Sequence, residues 1–514
     1  MTSEWLSESV SIGAKSAILL GPLPLDCLIE NSKQFSSGVL WISSSGENED
    51  SLPPNIKKIP LNQPLPLLKD ALENFMLSEY DSPPTVKVSK SINENYPEQY
   101  TKILDIIIAE IDSTMRARRT REETGFLRQR QIFMNLADYL TKRLPNEWNM
   151  LGQGTLGIVV GAGPSLDITL PLLKESIPKP IIVAADSSLR ALKSVGLDPD
   201  FVVSIDPQKT FDSCSIPNYT PGIAILSSQS HASWSKEWGE RCCFLSGRVI
   251  TEDWLAEKGI SKTSLLAINN AGLTALAFAD FLNTSALLTV GLDLAGGGQG
   301  QERYAENTNR SHIQTFASHY HNIPGNFSKT VPTPFLSDWQ ETSDYCQRIS
   351  QKKTLINLND RGAKLEGATL VHPDQIEELK EALNQNIKAF KLEDSTVLDI
   401  RKSLTGMGLI QLLTQLVTFC DQCWDTLPDE ETENTSSQLS FLRNLLSNRE
   451  FASLLGDFAF SIMPKISADK TMDPQELKHA INELRHTIWR LEDAVLECDP
   501  EEEFLIRFLT EKFT

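Results

Sequence analysis

Short apolar runs alternate with longer amphipathic stretches over most of this chain, a rhythm that predicts an α/β protein. Between residues 150 and 372 the runs 157–160, 181–185, 201–205, 223–226 and 287–290 are strand candidates. Each is almost wholly apolar, and helical stretches separate them. Strands apolar on both faces and joined by helices belong to a mainly parallel, Rossmann-like sheet covered on both sides. Residues 17–20 and 39–42 read as further strands, and another precedes the Pro-rich run Pro60 to Pro66. They predict a small N-terminal α/β domain over 1–95. Residues 97–142 carry Ile103, Ile106, Ile107, Phe126, Ile132, Phe133, Leu136 and Leu140 at helical spacing, so 96–149 reads as a helical linker. From 373 to 514 every pattern is helical (374–392, 395–424, 437–463, 473–498 and 500–512), with breakers at Pro428 and Pro464. That predicts a C-terminal helical bundle beside a central domain over 150–372.

Composition narrows the classes. The chain has 514 residues, 40% hydrophobic and 23% charged, which is globular composition and enough for about three domains. Its formal net charge of −20 disfavours nucleic acid and anionic membrane surfaces as partners. Much of that charge sits in residues 371–514, where 14 Lys and Arg face 27 Asp and Glu. Against this background Arg116, Arg118, Arg119, Arg121, Arg128 and Arg130 form a basic cluster. It reads either as a solvated helix face paired with Glu122 and Glu123 or as an anion contact. Eight cysteines are too few for a disulfide framework, which fits a reduced, cytoplasmic setting. Cys420 and Cys423 form a CxxC, but in an apolar helical stretch that reads as core. Residues 1–11 lack the basic start of a targeting segment, and no apolar run is long enough to span a membrane.

The candidate chemistry follows the strands. Gly161-Ala-Gly163-Pro164-Ser165 connects a strand to a helix start. Its glycines permit close backbone approach, and the helix end offers N–H groups suited to a phosphate. Asp186 and Asp206 each end a neighbouring strand. Asp186 reads as a helix cap or a ligand contact, and Asp206 as an Asx turn before Pro207 or a site carboxylate. Together they could hold Mg²⁺ or a sugar hydroxyl. Asn269 and Asn270 stand at the entrance of an apolar helix, where they cap it or bond a ligand. A third strand ends in Gly291-Leu-Asp293, followed by the Gly-rich run Gly296–Gly300 and by Arg303-Tyr304-Ala305.

Taken together, GAGPSLD from Gly161, AADSSLRAL from Ala184, GLDPDFVVSIDPQ from Gly196, GLDLA from Gly291 and the segment Leu355 to Gly367 resemble the motility accessory factor family. That family contains the hydroxymethylpterin-pyrophosphokinase-like domain. The resemblance covers about residues 150–372. It implies transfer of a nonulosonic acid of the pseudaminic or legionaminic type from a CMP-sugar to Ser or Thr of a protein acceptor such as flagellin. The central domain is similar to bacterial sialyltransferases, which share a Gly-x-Gly-Pro-Ser loop (Gly161 to Ser165) and a helix–strand–Gly-x-Asp unit (Gly272 to Asp293). The segment Asn359-Asp-Arg-Gly362 departs from a Glu-Gly-Gly common in the family.

On this reading Asp206, His319 and Asn270 are the catalytic candidates. Gly161, Gly163, Pro164, Ser165, Asp186, Asn269, Gly291 and Asp293 are the nucleotide and phosphate contacts. His312, His319 and His321 follow the third strand-end acid, as a catalytic His does in sialyltransferases, and Arg303, Lys329 and Arg361 could neutralise a phosphate or sugar carboxylate. Two other classes compete: a Mg²⁺-dependent pterin diphosphokinase using Asp186 and Asp206, and a non-catalytic interaction protein.

Overall fold

Every strand read from the pattern is a strand in the computed structural model. The structure describes residues 4–9, 11, 13–44, 52–77, 82–93, 96–173, 179–296, 302–313, 320–383, 388–393, 396, 400, 404, 407–428, 435–462 and 474–498. These fall into two compact units, residues 1–123 and 124–514.

The first unit holds strands β1 (Trp5–Ser9), β2 (Ser16–Leu20), β3 (Gly38–Ser43), β4 (Ile56–Pro60) and β5 (Thr85–Ser89), in the spatial order β1-β5-β2-β3-β4. Only the β1–β5 pair is antiparallel. One apolar layer joins Ile18, Leu40 and Val86 to Leu68, Leu72, Tyr100 and Ile107. The other joins Leu19, Val39 and Trp41 to Leu28. β1 and β5 escape the hydrophobic pattern because polar residues interrupt both. Lys87 is tolerated in β5 because it pairs with Glu8 at 2.9 Å and lies over the rings of Trp5 and Phe35.

A single helix of 38 residues, Pro97–Met134, contains the boundary between the units. Its basic cluster is largely spent within the protein. Arg119 pairs with Glu123 at 2.7 Å, Arg128 with Asp457 at 3.1 Å, and Arg118 donates to the Met76 carbonyl.

The second unit is built on eight strands: β6 (Leu156–Val160), β7 (Ile181–Ala185), β8 (Phe201–Ser204), β9 (Ile223–Ser227), β10 (Cys242–Leu245), β11 (Ala286–Val290), β14 (Thr354–Leu358) and β15 (Thr369–Val371). A separate hairpin pairs β12 (His321–Pro324) with β13 (Thr330–Thr333). The large sheet runs β10-β9-β8-β7-β6-β11-β14-β15, parallel throughout. The α/β, Rossmann-like class expected from the sequence is what the chain adopts. Alternate residues divide the core. Val159, Val183, Val203, Ile225 and Leu287 pack on one side with Leu276 and Phe278. On the other side, Ile158, Ile182 and Leu288 pack with Leu166 and Leu170.

The far end of that second side is covered by the C-terminal helices. Val202, Ala224, Leu226 and Phe244 share one core with Leu413, Val417 and Cys420 of helix Met407–Thr426 and Leu484, Ile488 and Leu491 of helix Pro474–Leu496. The helices expected beyond 373 therefore belong to the same compact unit as the sheet. The helix expected over 500–512 lies outside the described residues. Cys420 and Cys423 are core residues, and burial pushes both thiols up, Cys423 to about 12. The CxxC reads as packing. No helix among the described residues is long and apolar enough to cross a membrane.

A buried carboxyl gives this unit a pH signature. Glu252 is 1% exposed and accepts from Ser228 Oγ at 2.5 Å and from the Gly247 N–H at 2.7 Å. Burial raises its carboxyl to about 7, against the partial relief of those bonds and of the nearby Lys262 and Arg143. Between about 4.5 and 7 the folded state keeps a proton that the unfolded chain releases, so this group makes stability fall as pH rises through that window. Thermal melting from pH 4.5 to 8 should show that slope, worth about 3 kcal/mol at most. Glu252→Gln should flatten it, with its amide oxygen on Gly247 and its NH₂ on Ser228.

Candidate functional site

Four of the eight parallel strands, β7 to β10, lie on one side of β6, and β11, β14 and β15 lie on the other. Successive connections from such a pair leave in opposite directions, which opens a crevice at the carboxyl ends of β6 and β11. The two glycine motifs are the loops that leave those ends. Gly161 N–H donates to Val290 O at 2.8 Å and Gly163 N–H to Gly291 O at 2.9 Å, so the loops continue the strand pairing. A Cβ on Gly161 would stand 2.3 Å from Gly291 O, and one on Gly163 would stand 2.6 Å from the Asp293 carboxylate. Gly291 itself holds φ at +68°. The glycines are needed because two backbones meet.

Asp293 occupies the start of helix Leu166–Leu173. It is buried, and it accepts from Ser165 N–H at 2.8 Å, Ser165 Oγ at 2.5 Å and Asn359 Nδ2 at 2.9 Å. The negative charge expected at this helix end from a phosphate is supplied by the protein's own carboxylate. The backbone N–H groups of Gly161, Gly163 and Ser165 are likewise engaged inside the protein. Burial raises the Asp293 carboxyl, opposed by the bonds from Ser165 and Asn359. Pro164 follows Gly163 at the turn, and its carbonyl accepts from Asp167 N–H at 3.3 Å.

Asp186 and Asp206 do end adjacent strands on the same sheet edge, but in different states. Asp186 is fully buried at the end of β7, with one oxygen bonded to Lys209 Nζ and Ser187 Oγ, both at 2.9 Å, and the other to Ser204 Oγ at 3.0 Å. Burial alone would raise its carboxyl. The Lys209 ammonium, with the two hydroxyls, reverses that and holds it below the ordinary range. Its oxygens are thus spent on an ammonium rather than on Mg²⁺. Asp206 is partly exposed, and its Oδ1 accepts from Gln208 N–H at 2.9 Å, which is the Asx turn. Among the described residues no group of three or more His, Cys, Asp or Glu could hold a metal ion.

The asparagines are caps first. Asn270 Oδ1 accepts from Leu273 N–H at 2.7 Å at the start of helix Ala271–Phe281, and Asn269 Nδ2 donates to Glu341 at 2.6 Å. His319 and Gly297 to Gly300 lie outside the described residues. His312 is exposed, and His321 opens β12. Arg361 is tied to its neighbour Asp360, at 2.6 Å from Nη2.

Residues 130–298, which include β6 to β11 and both glycine loops, match the family model described as 6-hydroxymethylpterin diphosphokinase MptE-like. The centre of the chain is thus similar to the MptE-like family. This agrees with the hydroxymethylpterin-pyrophosphokinase-like domain that the resemblance placed in the central segment. An uncharacterised protein of Treponema pallidum (strain Nichols) is 36% identical over 86 residues, which is 16% of this chain and 39% of that protein's length. The structure of MAf glycosyltransferase from Magnetospirillum magneticum AMB-1 aligns loosely with 97% of this chain and 82% of its own, at 16% identity and a TM-score of 0.46.

Sequence reasoning missed Lys209, and it named Asn359 only inside a motif, without its bond to Asp293. Lys209 follows Asp206 by three positions, and its role depends on β7 and β8 being neighbours. Asn359 lies within a motif that was noticed, but its bond to Asp293 required knowing that β14 lies beside β11.

Two substitutions test this geometry. Lys209→Met should destabilise the protein by about 3–5 kcal/mol, because it strands the buried Asp186 charge. Lys209→Met with Asp186→Asn should recover most of that in denaturant titration. Gly163→Ala should lower the melting temperature, at a cost of about 1–3 kcal/mol, since its Cβ must displace the Asp293 carboxylate.

Proposed function

We infer that the chain is a glycosyltransferase that moves a sialic-acid-like nonulosonic sugar from a CMP-sugar to a Ser or Thr hydroxyl of a protein, flagellin being the acceptor the family name suggests. One observation carries the reading. The Gly-x-Gly-Pro-Ser loop and the Gly-x-Asp unit, the two motifs shared with sialyltransferases, lie 128 residues apart and meet at the switch point through Ser165 and Asp293. Their bond shapes the floor of the crevice, while the donor's phosphate binds to side chains above it.

In the transfer, the acceptor oxygen bonds to the anomeric carbon as the bond from that carbon to the CMP phosphate oxygen breaks. CMP leaves with the electron pair, and the hydroxyl proton goes to a base. Asp206 is the base this reading favours, because of the three strand-end acids it alone is partly exposed. His319 is the other candidate base, and Asn270 would position the acceptor hydroxyl from the place its capping bond already holds.

The description of the matched family favours a second reading, diphosphate transfer to a pterin alcohol. That chemistry draws on Mg²⁺ held by Asp186 and Asp206, and Asp186 is poorly suited because both of its oxygens are committed inside the protein.

Calorimetric titration of the full chain with CMP, CMP-N-acetylneuraminic acid, and ATP–Mg²⁺ with 6-hydroxymethyldihydropterin separates the readings. Binding of the CMP compounds is expected. Pterin diphosphate formation without any affinity for CMP compounds would overturn the proposal. With an acceptor in hand, Asp206→Asn should lower kcat by about 100-fold or more while leaving donor affinity nearly unchanged.

A further inference from the structure

Two arginines at the mouth of the crevice share one aromatic ring. After β11 the segment 302–313 returns to the same sheet edge, where Ala305 N–H donates to Ala162 O at 3.0 Å and Ala305 is fully buried. That anchor seats the Tyr304 ring, which is 6% exposed. The Arg303 guanidinium carbon lies 5.2 Å from the centre of that ring and 4.7 Å from that of Phe335. The Arg310 guanidinium carbon lies 5.1 Å from the same Tyr304 ring. Phe335 belongs to the β11 side, since its N–H and the Leu294 carbonyl both bond Thr333 Oγ1. Arg310 belongs to the β7 side, with Nη1 3.4 Å from the Ser213 carbonyl and 3.8 Å from Cys214 Sγ. The two cations therefore flank the glycine loop of β6.

No carboxylate pairs with Arg303 or Arg310 among the described residues, and Arg310 Nε is buried without a partner. Asp186 is spent on Lys209, Asp167 Oδ2 accepts from Glu306 N–H at 3.0 Å, and Asp206 accepts within its own turn. Stacking on aromatic faces fixes a guanidinium plane and leaves its N–H edge for oxygen anions.

We propose that Arg303 and Arg310, held on Tyr304, clamp a phosphate-bearing anion at this edge, and that it is the phosphodiester and carboxylate of a nucleotide-linked acidic sugar. The identity of the ligand rests on the transferase reading above. The clamp itself does not, since a pterin diphosphate would offer the same phosphoryl oxygens.

The test is calorimetry on the full chain with CMP-N-acetylneuraminic acid, CMP, ATP–Mg²⁺ and inorganic pyrophosphate. Arg303→Gln and Arg310→Gln should each weaken CMP-N-acetylneuraminic acid about tenfold or more, with melting curves confirming the fold. The wild-type affinity should fall with added salt more steeply than that of either variant. Arg310→Lys, which keeps the charge and loses the fork, should be intermediate, and it serves if the Gln variant fails to fold. Folded variants with unchanged affinity overturn the clamp, as does a wild type that binds none of the four probes. A wild type that binds pyrophosphate or ATP–Mg²⁺ through these arginines, and no CMP compound, upholds the clamp and removes the transferase reading.

Discussion

The centre of the molecule depends on one carboxylate at one helix end. Asp293 leaves β11, crosses to the start of helix Leu166–Leu173 and takes both donors of Ser165, while Asn359 from the next strand holds its other side. Three strand ends are tied by one side chain. A helix N-terminus carries a partial positive charge and unpaired N–H groups, so a buried carboxylate there is stabilised by a field already present. The glycines at 161, 163 and 291 follow from this arrangement, because the two loops approach until no Cβ fits between them.

Five strands of the large sheet were legible because burial on both faces makes them continuous apolar runs, whereas Thr354–Leu358 and Thr369–Val371, which carry polar positions, were not singled out. Cys242–Leu245 was not singled out, although it is equally buried, since two cysteines at its start blur the run. β1 and β5 were illegible for a different reason: Lys87 is held inside by Glu8 and two rings, a partnership that local pattern does not express. At the site, the two glycine loops and the acids Asp186, Asp206 and Asp293 stand at the carboxyl ends of the strands. Their partners did not emerge, since Asp293 with Ser165 and Asp186 with Lys209 are defined by strand order. A Gly-rich loop before a helix reads as a phosphate cradle in one dimension, whether or not an internal carboxylate already fills it.

Charge is arranged economically at this edge. Two acids lie buried, one neutralised by Lys209 and one by hydrogen bonds at a helix end, which leaves Asp206 partly exposed between adjacent loops. In a chain of net charge −20, that inward disposal of acids leaves Arg303 and Arg310 without a carboxylate partner among the described residues. The acidity of the C-terminal helices lies on residues outside their shared core, while their apolar faces complete the sheet.

That completion carries a cost in time. The outer face of β8, β9 and β10 is covered by helices Met407–Thr426 and Pro474–Leu496, so strands that leave the ribosome by residue 245 await partners roughly 250 residues further along. At synthesis rates of about 5–20 residues per second, the delay is on the order of 10–50 s. Throughout it, Val202, Ala224, Leu226 and Phe244 present a half-built apolar wall to the cell. A nascent chain of this kind suits chaperones that shield growing polypeptides until helix Pro474–Leu496 has been made.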